Sequence, residues 1–386
     1  MKPIKVCLFT GTRADYPRIK SIIPLLENSK QFDLKIIVTG SHLLKKFGFT
    51  YKEIINDGYK IHKKVRMFHQ NIDDTLYGNT LAFSNCAKGI AKVIEEIKPD
   101  LAIVTVDRVE TLAIASACAL MNVPIAHIQG GEVSGTIDES IRHAVTKLSH
   151  LHFVSTKLSA RRIIQMGENK KNVYTVGCPY TDILEKIKQK KTKSNKLVKL
   201  IQGKSKYVIF MMHSVTTNIN EIKKNLQKLI AAIKNISEDY YIFSFLPNTD
   251  PGCNYIIDNL KKNKKIKIIK NLDSYLFLEL MKYSQFMIGN SSSGIREAPT
   301  FKTPYICIGS RQNGRERSSN VVDCSYNTQE ILKYVKYVTS NRRFQKKLKN
   351  CKNIYGSGNV AKKIFRIIKQ NNINPNLIEK KFNLIK

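Results

Sequence analysis

Acidic side chains are scarce in this chain. Thirty Asp and Glu stand against 65 Lys and Arg, a formal net charge of +35 at pH 7. Such an excess fits a binder of nucleic acid or anionic membrane, or a lysine-rich solvated surface, because net charge speaks to solubility and non-specific binding rather than to fold. The second reading is preferred. The cations clump at Lys186–Lys206, Lys261–Lys270 and Arg342–Lys352. No RRM, zinc-finger or homeodomain signature accompanies them, and aromatics do not interleave with them as a base-stacking groove requires. Nucleic acid is therefore not an expected partner, although a basic surface still favours a polyanionic small molecule such as a nucleotide.

None of the eight cysteines forms a CxxC pair, and several sit in apolar runs such as "KVCLF" and "YICIG". That pattern argues for buried free thiols in a reducing compartment and against a disulfide frame or zinc site. No apolar run reaches about 18 residues, so no membrane-spanning helix is expected. The opening "MKPIKVCLFTG" enters a strand directly, without the apolar stretch and small-residue cleavage site of a signal peptide, and a cytoplasmic protein is expected. A GxGxxG fingerprint and clustered metal ligands are both missing, so neither nicotinamide nor metal is expected.

What is present is alternation. "KVCLFTG" (5–11), "LKIIVTG" (34–40), "DLAIVTV" (100–106), "PIAHIQ" (124–129) and "LHFVS" (151–155) have the two-sided apolar, β-branched character of central parallel strands. Helical spacing covers 86–100 and 109–124, ending at Pro99 and at Asn122 with Pro124. After a lysine-rich stretch a second series follows: 207–213, 240–248, 265–271, 285–290 and 303–309. Strand, helix, strand repeated in this way predicts βαβ units in an α/β fold with two Rossmann-like domains and a cleft between them. The expected boundaries are 1–185 for the first domain, 186–206 for a linker, 207–355 for the second domain and 356–386 for a C-terminal helical segment, with a helix over 359–371. For a chain of 386 residues two domains are the natural size.

Every suggestive motif falls at a strand's carboxyl end, where ligands of open α/β sheets bind. "GTRAD" (11–15) places Arg13 just past the first strand, as a phosphate contact or as a surface arginine on a tight turn. "HIQGGEVSGTIDESIRH" (127–143) crowds Gln129, Glu132, Asp138 and Arg142 around three glycines, and "VDRVE" (106–110) brings Asp107 and Arg108 to the end of the preceding strand. Asp107 is by default a helix N-cap. With Glu132 and Asp138 in one pocket, crowded carboxylates would raise one another's pKa and supply an acid and a base near neutral pH. "GNSSSGIREAP" (289–299) offers Ser291, Ser292 and Gly294 at a helix start as a diphosphate site, with Glu297 one turn further for ribose hydroxyls; the alternative is a capped helix. "MMHSVTTN" sets His213 at a strand end, where a satisfied buried histidine is the alternative, and "GSRQNGRER" brings Arg311 beyond another.

Together "GTRADY", "HIQGGEVSGTIDESIRHAVTKLSHLHF", "HSVTTN", "GNSSSGIREAP" and "GSRQNGRE" resemble the hydrolysing UDP-N-acetylglucosamine 2-epimerases of sialic- and legionaminic-acid-type biosynthesis, and the epimerase half of the bifunctional animal epimerase/kinase. The resemblance runs over nearly the whole chain. It implies a GT-B-like pair of domains, a homodimer, and a reaction without cofactor: anti elimination of UDP to a 2-acetamidoglucal, then addition of water, giving N-acetylmannosamine and UDP. By the same resemblance Arg13, Ser291 and Ser292 contact the diphosphate, Glu297 the ribose, and Asn248 and Arg311 lie near the nucleotide. Arg108 and His213 line the junction of diphosphate and sugar, and Asp107 and Asp138 match catalytic carboxylates. The chain departs from many relatives at "TVD" for "HGD", at "HSVTT" for "HPVTT", and at Gln129, where they carry a catalytic glutamate. A glutamine is no base, so Glu132 or Asp138 takes that role, or the enzyme is slow or altered. Gln129 also points to an alternative substrate, a UDP- or GDP-linked 2,4-diacetamido-2,4,6-trideoxy sugar. A GT-B glycosyltransferase is the same-fold rival.

Overall fold

Among the described residues, thirteen strands build two parallel sheets. The computed structural model describes residues 2–68, 74–371, 373 and 377–384. It divides into unit 1 (Met1–Glu132, Ile137–Ile183 and Tyr355–Lys386) and unit 2 (Val133–Thr136 and Leu184–Ile354). Unit 1 carries β1 (Ile4–Thr10), β2 (Phe32–Val38), β3 (Ile61–Lys64), β4 (Leu101–Thr105), β5 (Ile125–Ile128), β6 (Leu151–Val154) and β7 (Val173–Thr175), hydrogen-bonded in the order β3-β2-β1-β4-β5-β6-β7. Unit 2 carries β8 (Tyr207–Met211), β9 (Tyr241–Phe245), β10 (Ile266–Ile269), β11 (Met287–Gly289), β12 (Tyr305–Ile308) and β13 (Val321–Cys324), in the order β10-β9-β8-β11-β12-β13. Both are doubly wound sheets whose strand order reverses at one point, between β1 and β4 and between β8 and β11. A crevice for ligands opens at such a point, beyond the strands' carboxyl ends.

The strand pattern follows from two-sided burial. Val6 and Leu8 of β1 and Leu101 and Ile103 of β4 enter the core on one face of the first sheet, while Cys7, Phe9, Ala102 and Val104 enter the core on the other. All ten strands anticipated from apolar runs are present. The three that were not, β3, β7 and β13, are sheet edges with mostly half-exposed residues, so no continuous apolar run marks them. Helix Leu76–Ile97 begins ten residues before the expected 86, because Thr75 accepts from the Gly78 N–H and caps a first turn whose Leu76 and Tyr77 face solvent. It ends ahead of Pro99 with Lys98 in the left-handed conformation.

Two boundaries differ from expectation. Within 186–206 lies helix Asn195–Ile201, capped by Ser194, with Leu197 and Ile201 buried in unit 2; the Ser194 N–H and hydroxyl both donate to the Glu279 carboxylate. Lysines dominate the composition there, but two apolar residues suffice to dock the turn. The C-terminal segment returns to unit 1. Val360, Ala361, Ile364 and Ile368 of helix Val360–Gln370 join the core of β1 and β4, and the Asp182 carboxylate accepts from the Val360 and Ala361 N–H groups at 2.8 and 2.9 Å. A carboxylate at a helix N-terminus also meets the favourable end of the macrodipole. Residues 372, 374–376 and 385–386 of the expected 356–386 segment lie outside the described residues. All eight cysteines are free and buried, and no helix among the described residues is long and apolar enough to cross a membrane.

Three histidines in unit 1 are buried in the neutral form. Burial draws the pKa down to about 3 for His42 and to about 4 for His127 and His150. Between pH 6.5 and 4 the unfolded chain binds protons that these sites refuse, so stability falls as pH falls through that window, by about 1.4 kcal/mol per pH unit for each histidine. Urea unfolding at pH 7 and pH 5 checks this: a lower midpoint at pH 5 is expected, with about one proton less of pH dependence in His127→Gln, and a midpoint unchanged between the two would refute it.

Candidate functional site

In unit 1 the candidates gather where β4 and β5 end. Val106, the first residue past β4, has φ +60, a left-handed conformation that costs a β-branched residue roughly 1–3 kcal/mol. Hydrogen bonds hold it there: its N–H donates to Ile128 O (3.0 Å), and its carbonyl lies 2.9 Å from His127 Nε2. His127 is completely buried and neutral, so the proton sits on Nε2 and is donated to that carbonyl. The first residue past β5, Gln129, is also left-handed at φ +71. Two adjacent strands thus end in kinked turns.

Past the first kink, Asp107 is not a helix cap. The N-cap of helix Val109–Leu120 is Arg108, without a side-chain cap bond. Asp107 instead meets the guanidinium of Arg142, whose Nη2 pairs with Oδ2 while Nη1 donates to the Glu132 carbonyl at 2.6 Å. Arg142, on helix Ile137–Leu148, is only 1 % exposed. One buried cation therefore ties the end of β4 to the loop that follows β5. Of the groups crowded together in the sequence motif, it is the guanidinium of Arg142 that pairs with Asp107. Glu132 is buried in the same loop, and Asp138 sits half-buried in the first turn of helix Ile137–Leu148. Gln129 is buried as well; its amide donates to Cys178 Sγ, and its Oε1 finds no partner among the described residues.

At the end of β1 the Gly11 N–H is taken by Asp15 Oδ2 (3.3 Å), so the "GTRAD" turn is closed by its own aspartate. Burial raises the Asp15 pKa against the pull of Arg18 and Arg108. Arg13 is half-buried, and desolvation brings its pKa down to about 10, still cationic at neutral pH. Arg108 is nearly buried and forms an ion pair with the buried Glu110, Nε to Oε2 at 3.9 Å.

Unit 2 repeats the arrangement at its own reversal point. Gly289 ends β11 with φ +131, and a Cβ there would collide with Met211 O of β8, so only glycine brings the two strand ends this close. The next residue, Asn290, interlocks with His213: its Oδ1 accepts the His213 N–H and its Nδ2 donates to His213 O, both at 2.8 Å. His213 Nδ1 accepts the Asn248 N–H at 3.1 Å, which leaves the ring proton on Nε2. Arg311 Nη1 (3.3 Å) and Gln312 Nε2 (2.9 Å) both donate to Asn290 O. Gly135 N–H donates to Arg311 O at 3.1 Å, so the Val133–Thr136 stretch of the carboxylate-rich motif belongs with the Arg311 loop.

The serine run opens only one turn of helix, Ser293–Arg296; Ser292 stands at its N-cap with no side-chain cap bond, and Ser291 Oγ accepts from Ser293 N–H at 3.3 Å. Capping thus does not account for all three serines. Gly294 has a packing cause, since a Cβ would collide with the Tyr305 ring. Glu297 is buried one turn on. Sequence reasoning missed Asn290 and Glu110. Both stand inside quoted motifs: Asn290 acts through His213, 77 residues away, and Glu110 through its near neighbour Arg108.

The structure thus brings together Asp107, Arg142 and the Glu132 backbone in unit 1, and His213, Asn248, Asn290 and Arg311 in unit 2. Comparison with known proteins shows the family. The family model described as UDP-N-acetylglucosamine 2-epimerase matches residues 25–369. The chain is 37 % identical over 335 residues to a GDP/UDP-N,N'-diacetylbacillosamine 2-epimerase (hydrolyzing) of Campylobacter jejuni, covering 85 % of this chain and 86 % of that protein. It is 34 % identical over 354 residues to a UDP-N-acetylglucosamine 2-epimerase of Neisseria meningitidis, covering 88 % and 89 %. Among solved structures, Methanocaldococcus jannaschii UDP-GlcNAc 2-epimerase in complex with UDP-GlcNAc and UDP superposes with a TM-score of 0.79 at 22 % identity, covering 95 % of this chain and 100 % of that one. That likeness shows the GT-B-like fold of two Rossmann-like domains. With a family model spanning most of its length and relatives above 30 % identity, the chain belongs to the UDP-N-acetylglucosamine 2-epimerase family.

Proposed function

We propose that the protein is a hydrolysing 2-epimerase that converts UDP-N-acetylglucosamine and water to N-acetylmannosamine and UDP. The C1–O bond breaks with its electron pair leaving on UDP, the C2 proton passes to a carboxylate, and a C1=C2 double bond forms. Water then adds its hydroxyl to C1, and a proton returns to C2 on the opposite face. The C2 hydrogen is weakly acidic, so departure of the diphosphate drives the first step, and donors that hold the developing charge lower its barrier.

The observation that carries this reading is the Asp107–Arg142 pair at the reversal point of unit 1. Arg142 is a positioning residue: it holds Asp107 and the Glu132 loop in fixed relation, as proton transfer requires. Asp107, Glu132 and Asp138 are the proton-handling carboxylates. In unit 2 the Nε2–H of His213 is the donor for the leaving oxygen. Ser291, Ser292 and Arg311 of unit 2, with Arg13 and Arg108 of unit 1, serve the diphosphate and its junction with the sugar. Glu297 serves the ribose, and Asn248 the nucleotide. The homodimer and the cytoplasmic location belong to this same family reading.

A diacetamido-trideoxy sugar is the second reading for the substrate. Gln129 favours it, since an amide stands where many relatives have a carboxylate, as does the 37 % identity to a protein named for diacetylbacillosamine.

Incubation with each UDP-sugar in deuterated water checks both readings. UDP release by 31P NMR, with deuterium at C2 of the free sugar by 1H NMR, is the expected outcome; it also separates epimerisation from glycosyl transfer, which leaves C2 untouched. No UDP from either substrate would refute the reaction. Asp107→Asn should lower kcat at least about 100-fold, the span of general acid–base catalysis, and a change below threefold would remove Asp107 from the chemistry. Gln129→Glu should lower the Tm rather than raise turnover, because it buries a carboxylate and deletes the donor to Cys178; a large gain in kcat would show that the wild-type glutamine impairs the enzyme.

A further inference from the structure

Resting on the reading above, we infer that Glu110 is a positioning residue that holds the Arg108 guanidinium for the anionic part of the nucleotide sugar. The first observation is burial. Glu110 is 1 % exposed and Arg108 7 %, and a carboxylate withdrawn from water in this way persists only with a compensating partner. Arg108 supplies it, with Nε 3.9 Å from Glu110 Oε2. The second observation is the space made for this side chain. Gly11 opens the turn after β1, and Gly40, at φ +63, lies just past β2. A Cβ on Gly11 would stand 2.5 Å from Glu110 Cγ; one on Gly40 would meet Gly11 O first, at 2.4 Å, and Glu110 Oε1 at 3.0 Å. The end of β1 is thus kept bare where the glutamate lies, and Gly40 closes in on the same spot.

A helix-dipole role does not account for this. Glu110 is in the first turn of helix Val109–Leu120, where a carboxylate is favourable, but an exposed glutamate would serve that purpose equally. A packing role would be filled at lower cost by an apolar side chain. What the carboxylate adds is charge near a guanidinium, 3.9 Å from its inner nitrogen. The outer nitrogens of an arginine are the fork that matches phosphate oxygens, and an arginine held in place loses less freedom when it binds them. Arg108 follows Asp107 directly, so neighbouring residues past β4 are each set by a buried partner on a helix: Asp107 by Arg142 and Arg108 by Glu110.

The test compares wild type, Glu110→Gln, Arg108→Gln and the double variant for KM, kcat and inhibition by UDP, with Tm as a control. Glu110→Gln should raise KM and weaken UDP inhibition about tenfold, the scale of one charge-assisted contact, with a smaller change in kcat. In the Arg108→Gln background the same substitution should add less than twofold, because the carboxylate acts through the arginine. A purely structural glutamate would lower Tm and leave KM and UDP inhibition within twofold of wild type, and that result overturns the inference. So does an undiminished tenfold effect in the double variant. If Glu110→Gln does not fold, Glu110→Asp carries the test: a KM raised about threefold at near-wild-type Tm, the scale expected from weakening rather than deleting the contact, supports the inference, and an unchanged KM overturns it. Wild-type protein that neither turns over a UDP-sugar nor binds UDP refutes the proposed function instead, so the two failures are distinct.

Discussion

A guanidinium sealed from water at Arg142 is the constraint on which the first unit's site depends. Removing a charge from solvent costs several kcal/mol unless geometry and hydrogen bonds offset it. Arg142 obtains that offset from the Asp107 carboxylate at the end of β4 and from the Glu132 carbonyl past β5. Loss of either contact would leave a buried cation short of partners, so the two strand ends are held together more firmly than loop contacts alone would hold them. The strained turns at Val106 and Gln129 fit this picture. Strain of that kind survives only where the surroundings over-determine the backbone, and the buried His127 proton on the Val106 carbonyl is one such restraint.

Unit 2 reaches comparable rigidity with neutral groups. The Asn290 side chain replaces a strand partner for His213, accepting from its N–H and donating to its carbonyl, while the Asn248 N–H sets the imidazole tautomer. The Asn290 carbonyl then gathers Arg311 and Gln312. A cation and a ring N–H are thereby placed by backbone-anchored bonds, the preorganisation that the proposed departure of a diphosphate calls for. In the proposed reaction this becomes a division of labour, with the proton-handling carboxylates on unit 1 and the larger share of the anion donors on unit 2.

The sequence-level reading fared best where one residue's meaning was local. A glycine at a strand end, a serine-rich turn and a carboxylate past an apolar strand were each legible from their neighbours. It fared worse where meaning came from a distant partner. Asp107 has the position of an N-cap, yet a guanidinium 35 residues away takes its carboxylate. Gly294 looks like room for a ligand, yet Tyr305 fills the space. Asn290 passes for an ordinary turn residue until its pairing with His213, 77 residues back, is seen.

Periodicity and punctuation in the chain alone determined the α/β class, ten of the strands, nine of them central, and the placing of every motif at a carboxyl end, because a strand buried on both faces must be apolar throughout and a turn must break that run. Tertiary structure decided three of the four edge strands, the return of helix Val360–Gln370 to unit 1, and the partner of each buried charge. Edge strands are wetted and carry little apolar signal. A buried ion finds its counter-ion in space, and no spacing along a chain records which of 65 cations will arrive beside a given carboxylate.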